Sequence, residues 1–311
     1  MPATAPSWSP SSRKRLDLAA PVLCAIINTT PDSFSDGGLL TDPSRAADHA
    51  LAALASGASM LDLGAESTRP GAARISAADQ RARLLPVLRA VRHAIGDATP
   101  ISIDTTLAPV AAAALDEGAD AINDVSAATE DPAMLPLAAG RQCGIVLMHR
   151  LVPPGSDHYS HSYAASPAYA HVVEDVRAFL ALRTRAALDA GLAPDRLVID
   201  PGLGFGKSVE QNLALITGTP RLLDLGFPVL SGLSRKSFVA IASGLPKDSP
   251  PAGRLAGTIA LTLAHAAAGA RILRVHDVAP IAQALAAWHA VSTPSQREGA
   301  GGGRFLGAAF P

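Results

Sequence analysis

The sequence has little cysteine, no excess of one charge and no apolar run long enough to span a bilayer. Cys24 and Cys143 are the only two cysteines among 311 residues. Each sits inside an apolar, strand-like run, which excludes a disulfide framework or a cysteine metal site and suits a reducing cytoplasm. The 26 basic and 27 acidic residues nearly cancel, and Arg13-Lys14-Arg15 is too short for a nucleic-acid footprint, so no nucleic-acid partner is expected. That triplet precedes the apolar stretch Leu16 to Ile27, as a secretory signal would require. Asp17 and Pro21 interrupt the stretch, no small-residue cleavage pattern follows, and polar Asn28-Thr29-Thr30-Pro31-Asp32 comes next, so a first strand is the better reading. Leu255 to Ala270 contains His265 and falls short of the roughly 20 residues a spanning helix needs. No membrane segment is expected.

Nucleotide signatures are missing as well. Gly202-Leu203-Gly204-Phe205-Gly206-Lys207-Ser208 looks like a phosphate loop, but Pro201 stands where such a loop needs its first glycine. The dinucleotide fingerprint fails because its third glycine position holds Lys207. His158, His161 and His171 fall in or after a Ser/Tyr/Pro-rich stretch without a metal-binding spacing, and are read as a solvated loop.

What the chain does have is alternation. With 48% hydrophobic residues it can bury a full core, and barrels of alternating strands and helices commonly use about 250 residues as one domain. Eight apolar runs alternate with Ala/Leu-rich helical patterns: Val22–Ile27, Met60–Gly64, Ile101–Ile103, Ala121–Ile122 with Val125, Gly144–Met148, Leu197–Ile199, Val229–Leu230 and Ile272–Val275. Asp42 before Pro43 reads as a helix start, Ser76-x-x-Asp79 resembles a capping box, and Gly57, Gly118 and Gly269 each end an Ala-rich helix. The fold expected is an α/β class (β/α)8 TIM barrel, a single domain over residues 21–292. Residues 1–20 and the Gly-rich 293–311 read as disordered tails.

Polar residues terminate each run: Asn28, Glu66, Asp104, Asn123 and Asp124, His149, Asp200, Ser234 to Lys236, then Arg274, His276 and Asp277. Any single Asp or Asn there could merely cap the following helix. Caps do not call for Glu66, His149, Lys236, Arg274 and His276, and in a β/α barrel these strand ends converge on one mouth.

At these same positions the chain resembles the dihydropteroate synthases. Asn28-Thr29-Thr30-Pro31-Asp32-Ser33-Phe34-Ser35-Asp36-Gly37-Gly38 is similar to their first signature. Glu66-Ser67-Thr68-Arg69-Pro70-Gly71, Ser102-Ile103-Asp104-Thr105, Ile122-Asn123-Asp124-Val125, Asp200 through Lys207, Ser234-Arg235-Lys236-Ser237 and Arg274-Val275-His276-Asp277 resemble the remaining ones, in order. The likeness covers about residues 20 to 290.

The resemblance implies a folate-pathway transferase in which p-aminobenzoate displaces diphosphate from 6-hydroxymethyl-7,8-dihydropterin diphosphate, giving 7,8-dihydropteroate through an SN1-like cation. It implies catalytic roles for Asp36, Asp104, Asp200 and Lys236. The pterin would be bound by Asp104, Asn123, Met148, Asp200, Gly232, Lys236 and Arg274. Carboxylate and amide groups match the donor edge of such a ring, and a guanidinium can lie against its face. Diphosphate would meet Asn28, Thr68, Arg69, Arg274, Val275 and His276, with Mg²⁺ held by Asn28 and phosphate oxygens. Phe34, Thr68, Arg69, Pro70, Phe205 and Ser237 would form the p-aminobenzoate pocket, with the loops Thr30–Gly38 and Glu66–Gly71 closing over it. Sulfonamides are expected to compete there, because the chain keeps the two segments that insensitive relatives alter. A homodimer is the family's habit, and apolar surface on the last helices is the seam expected for it.

Two departures stand out. Thr29 replaces an aliphatic residue, a change read as tolerated, and Arg150 follows Met148-His149 where a smaller or uncharged residue is common; Arg150 is expected to face solvent. Two other readings compete: a methyltetrahydrofolate-using methyltransferase acting on a corrinoid partner, and a catalytically silent pterin-binding paralogue. The first gives no reason for Arg274-Val275-His276, and the second predicts lost site residues that are all retained.

Overall fold

Eight parallel strands form because the short apolar runs are buried on both faces, one against the barrel axis and one against the surrounding helices. The computed structural model describes residues 6–29 and 41–292. After a two-stranded hairpin, β1 (Ser7–Ser11) and β2 (Lys14–Asp17), the barrel strands are β3 (Val22–Asn28), β4 (Ala58–Gly64), β5 (Ile101–Asp104), β6 (Ala121–Asp124), β7 (Gly144–Met148), β8 (Leu197–Asp200), β9 (Leu230–Ser231) and β10 (Ile272–Val275). Their order is β8-β7-β6-β5-β4-β3-β10-β9. A parallel bridge from Ile199 to Val229 brings the two edges together and closes the barrel. The eightfold alternation thus resolves as expected, except that β6 ends at Asp124 and leaves Val125 outside the strand, packed with Met148 and Phe205.

Helices α1 (Pro43–Ala55), α2 (Ala77–Ile95), α3 (Ala108–Asp116), α4 (Met134–Arg141), α5 (Val172–Asp189), α6 (Val209–Thr217), α7 (Thr219–Leu223), α8 (Ser237–Ala242), α9 (Leu255–Ala267) and α10 (Val278–Ser292) follow the strands. Asp42 caps α1 by accepting from Ser44 N at 2.9 Å, with Pro43 in the first turn. Ser76 caps α2 by accepting from Asp79 N at 3.1 Å. The Asp79 carboxylate bonds the Ser76 hydroxyl at 2.6 Å, so this is half of a capping box. The complete box is Ser208 with Gln211 at the start of α6. None of the helices among the described residues is long and apolar enough to cross a membrane.

Strand parity positions the chemistry. Side chains alternate faces along a strand, and Cys24, Met60, Ala121, Val146, Val198, Leu230 and Ile272 meet in one apolar cluster inside the lower barrel. Two residues further along these strands come Ile26, Asp62, Asn123, Met148, Asp200, Gly232 and Arg274. The layer above an apolar floor is therefore mostly polar, and it lies at the carboxyl ends.

The floor is sealed by a segment read from sequence as a disordered tail, and this is a correction. Residues 7–17 form the antiparallel hairpin β1–β2, whose Trp8 is fully buried beneath the barrel with Leu18. Trp8 Nε1 donates to Arg196 O at 3.0 Å, and Ser9 Oγ to Asp195 at 2.7 Å. Gly144 makes room for this plug: a Cβ there would lie 2.8 Å from the Trp8 ring and 2.9 Å from Pro10 Cα. The Ser/Pro composition hid the hairpin because its stability comes from burying one indole and not from any local pattern.

Candidate active site

The polar layer is held by one ionic network. Arg274 on β10 places Nε 2.6 Å from Asp62 Oδ2 on β4 and Nη2 3.1 Å from Asp104 Oδ2 on β5. Asn123 Nδ2 donates to the same Asp62 oxygen at 3.1 Å, and Ser102 Oγ to Asp62 Oδ1 at 2.5 Å. All four bonds arise because parity points these residues to the axis. Burial pushes the Asp104 carboxyl up to about 7; the Arg274 charge opposes this, while the charges of Asp62, Glu66 and Asp124 add to it.

Across the barrel, Asp200 accepts from Gly202 N at 2.7 Å. Burial raises its pKa, against the opposing charge of Lys236 and the Gly202 N–H. A Cβ at Gly232 would lie 3.5 Å from Asp200 Oδ2 and 4.0 Å from Lys236 Nζ, so the missing side chain leaves the gap between these groups open. Lys236 Nζ donates to Leu203 O and sits 4.1 Å from the centroid of the Phe205 ring. Burial lowers its pKa to about 8, while Asp200 favours the charged form. Arg235 reaches this turn in a left-handed conformation, φ 60°, with its guanidinium bound to Asp277 at 2.6 and 2.8 Å.

Above this layer opens a cavity of about 570 Å³. Asn28, Thr68, Arg69, Pro70, Asp104, Phe205, Lys236, Ser237, Arg274 and His276 all line it, which brings together most of the residues expected from sequence. Asn123, Met148 and Asp200 are buried close beneath. Val275 points the other way, into the core under the helices. Only its backbone can face a ligand. Phe34 and Asp36 lie outside the described residues. The half-buried His276 ring accepts or donates at 3.0 Å to Ser234 Oγ. Burial, then the charges of Arg235, Arg274, Arg69 and Lys236, depress its pKa well below the usual value. A neutral imidazole among cations suits an anionic ligand.

The glycine-rich segment after β8 is confirmed as something other than a phosphate cradle. Its carbonyls, not its amides, turn inward onto the Lys207 ammonium, which donates to Gly202 O at 2.9 Å and Phe205 O at 2.8 Å and lies 3.0 Å from His149 Nδ1. Lys207 is fully buried, and burial brings its pKa down to about 7. Gly202 is required at φ 68°, where a Cβ would meet His149 O at 1.8 Å. Burial also lowers the His149 pKa to about 2, with the Lys207 charge acting in the same sense.

Two sequence expectations are corrected, and a third is explained. Arg150 does not face solvent; its side chain is 7% exposed and paired with Glu130. His161 is no solvated loop residue, because it lines the cavity, stacked at 10° on Tyr159 with centroids 5.9 Å apart. Thr29 is fully buried and donates to Gly64 O at 3.1 Å, which explains how its hydroxyl is accommodated. Asp62 was missed, although a carboxylate two positions before the end of an apolar strand carried the signal: it shares inward parity with the strand-end residues.

Comparison with known proteins agrees with this geometry. The family model for pterin binding enzymes matches residues 24–276. The dihydropteroate synthase of Mycobacterium leprae is 42% identical over 272 residues, covering 87% of this chain and 93% of that protein. The solved structure of Xanthomonas albilineans dihydropteroate synthase with 4-aminobenzoic acid superimposes with a TM-score of 0.82 at 40% identity, covering 93% of this chain and 99% of that one. The same bacterial enzyme in complex with 7,8-dihydropteroate gives 0.78 at 37% identity, covering 91% and 98%. A barrel with an anion-ready mouth, a buried carboxylate layer and this degree of likeness along nearly its whole length belongs to the pterin-binding enzyme family, among its dihydropteroate synthases.

Proposed function

We propose that the chain joins p-aminobenzoate to (7,8-dihydropterin-6-yl)methyl diphosphate, releasing diphosphate and 7,8-dihydropteroate. The observation that carries this reading is the stacking of two layers at one mouth. Hydrogen-bond acceptors in Asp104, Asn123 and Asp200 lie below, and the cations Arg69, Lys236 and Arg274 stand at the cavity wall. A pterin edge rich in N–H donors matches the lower layer, and a diphosphate matches the upper one. The bound 4-aminobenzoate and dihydropteroate of the Xanthomonas relatives fit the same assignment.

In this mechanism Asp200 and Asn123 orient the ring, and Met148 packs against it. Asp62 and Asp104 set the plane of the Arg274 guanidinium so that its face lies along the heterocycle. The bond between the 6-methylene carbon and the diphosphate oxygen breaks first, its electron pair leaving with diphosphate. The resulting dihydropterin cation is stabilised by the buried carboxylates, as preorganised charge does in a water-poor site. The amine of p-aminobenzoate, held between Thr68, Arg69, Pro70, Phe205 and Ser237, then forms the new C–N bond and loses a proton. Lys236 holds the Phe205 loop and donates to ring acceptors. Arg69, Arg274 and His276 receive the departing diphosphate.

Asn28 lines the cavity beside Asp104, Arg274 and His276, and its side-chain oxygen is of the hard type Mg²⁺ takes. Among the described residues no three His, Cys, Asp or Glu gather to make an all-protein cage, so the ion would be shared between Asn28 and phosphate oxygens. Bound there, Mg²⁺ would neutralise charge on the leaving group. The free, buried Cys24 and Cys143 fit a cytoplasmic setting. A homodimer built on the last helices completes the reading, and sedimentation tests it.

The test is to follow dihydropteroate and diphosphate together with both substrates and Mg²⁺. Stoichiometric appearance of both is the outcome expected, inhibited competitively by sulfonamides against p-aminobenzoate. Tight pterin binding with neither product would overturn the reading in favour of a methyltransferase or a silent paralogue.

A further inference from the structure

The segment that carries Thr68, Arg69 and Pro70 is tied down by a chain of alternating charges that starts at Glu66 on the cavity wall and runs outward through Arg74, Glu130 and Arg150, none of which lines the cavity. Glu66 and Arg74 stand at its two ends, with Arg74 Nε 3.2 Å from Glu66 Oε1. The same Glu66 oxygen accepts from Ile75 N at 2.9 Å, so the base of the segment is closed twice. Arg74 continues outward, with Nη1 2.6 Å from Glu130 Oε2 on the loop after β6 and Nη2 3.0 Å from Thr106 Oγ1 on the loop after β5. The other Glu130 oxygen pairs with Arg150, which follows β7 and is nearly buried. Four consecutive strand-to-helix loops are thereby joined by two arginines and two glutamates.

We infer that Arg74, Glu130 and Arg150 are positioning residues for the arylamine substrate: they fix the 66–71 segment against the cavity without touching the ligand. The inference rests on the synthase reading for the identity of that ligand. Glu130 carries the argument because it answers two cations from opposite sides. Burial works against its charge, but hydrogen bonds from Thr106 and Arg74 and the charge of Arg150 hold its carboxyl below the usual range. Removing Arg150 leaves Glu130 with Arg74 and Thr106 on one side only and lets the group drift along the rim. A charge chain whose members share partners behaves as a unit, so its parts are non-additive.

The ligand-side prediction is selective. The pterin contacts sit in the lower layer, and Arg274 and His276 on the β10 side hold most of the diphosphate site; the segment contributes Thr68, Arg69 and Pro70 to the arylamine pocket and shares only its Thr68–Arg69 edge with the diphosphate. Disturbing the chain should therefore raise KM for p-aminobenzoate by more than it raises KM for dihydropterin diphosphate, which keeps its pterin contacts, Arg274 and His276.

The experiment compares Glu130→Gln, Arg150→Met, their double variant and the charge-keeping Arg150→Lys, using steady-state kinetics and hydrogen exchange of amides 67–75. Expected are a rise in KM for p-aminobenzoate of about fivefold in each neutralising single variant, kcat within about twofold, faster exchange, a double variant no worse than the worse single, and recovery in Arg150→Lys. Unchanged KM and exchange in both neutralising variants would overturn the inference, as would a lower melting temperature accompanied by no change in KM. If the wild-type chain forms no product but exchange responds as described, the brace stands and the synthase reading fails. If product forms normally but neither KM nor exchange responds, the brace falls alone.

Discussion

Arg274 Nε lies 2.6 Å from Asp62 Oδ2, although the two residues are 212 positions apart in the chain. Asp62 is 1% exposed and is also bound by Ser102 and Asn123. Asp62→Asn keeps the volume but removes the charge that answers Arg274. Breaking a buried pair in this way costs about 3–5 kcal/mol. The expected outcome is a destabilised enzyme, measured by urea denaturation, with turnover falling further than stability accounts for because the guanidinium plane is no longer set. Wild-type turnover in a variant that is folded would remove Asp62 from the site.

The pH profile follows from two groups that line the cavity, one buried and one half-buried. Asp104, raised to about 7, must lose its proton to serve as an acceptor. Lys236, lowered to about 8, must keep its proton to serve as a donor. Turnover should rise through the first value and fall through the second. Lys236→Arg, whose side chain keeps its charge throughout this range, should lose the alkaline limb even where its rate is lower. An unchanged alkaline limb would assign that limb to another group.

Lys207 predicts a dependence of stability on pH. In the folded chain its proton is lost near 7, while in the unfolded chain a lysine holds it to about 10.4. Between these values the unfolded state binds more protons, so this group makes stability rise with pH across the window. Lys207→Met should flatten that part of the curve. It also strands the buried carbonyls of Gly202 and Phe205, at about 1–3 kcal/mol each. Parallel curves for the two proteins between pH 7 and about 10 would contradict the assignment.

Much of the site was legible in sequence because its residues end strands, and strand ends in a β/α barrel have one destination. Asn28, Asp104, Asp200, Lys236, Arg274 and His276 were found that way. Asp62 was not, since it lies inside a strand and only its inward parity marks it. Lys207 was noticed solely as the wrong end of a phosphate loop; nothing local says that the carbonyls of Gly202 and Phe205 and the His149 imidazole would gather on it. Arg150 was misread because its partner, Glu130, stands on a different loop. The hairpin was misread because Ser7-Trp8-Ser9-Pro10-Ser11 has the composition of a disordered segment, and its one informative residue, Trp8, finds its partners far along the chain.

Trp8→Ala separates floor from mouth. Truncating a fully buried indole costs about 3–5 kcal/mol, so the melting temperature should fall markedly. KM for both substrates should stay within experimental error, because the hairpin is at the amino ends of the strands. A large change in either KM at temperatures where the variant is folded would show that the floor reaches the site.

The last strand also sets the timetable of folding on the ribosome. β10 pairs with β3 on one side and β9 on the other, so the open edge of β3 has no partner there until residue 275 has emerged. At synthesis rates of about 5–20 residues per second, the first strand waits on the order of 10–50 s with one row of amides and carbonyls uncovered. An unpaired edge of that kind is where neighbouring chains associate. Over that interval a nascent chain has no Arg274 to answer Asp62 and Asp104, and it stays without a working mouth until its final strand docks.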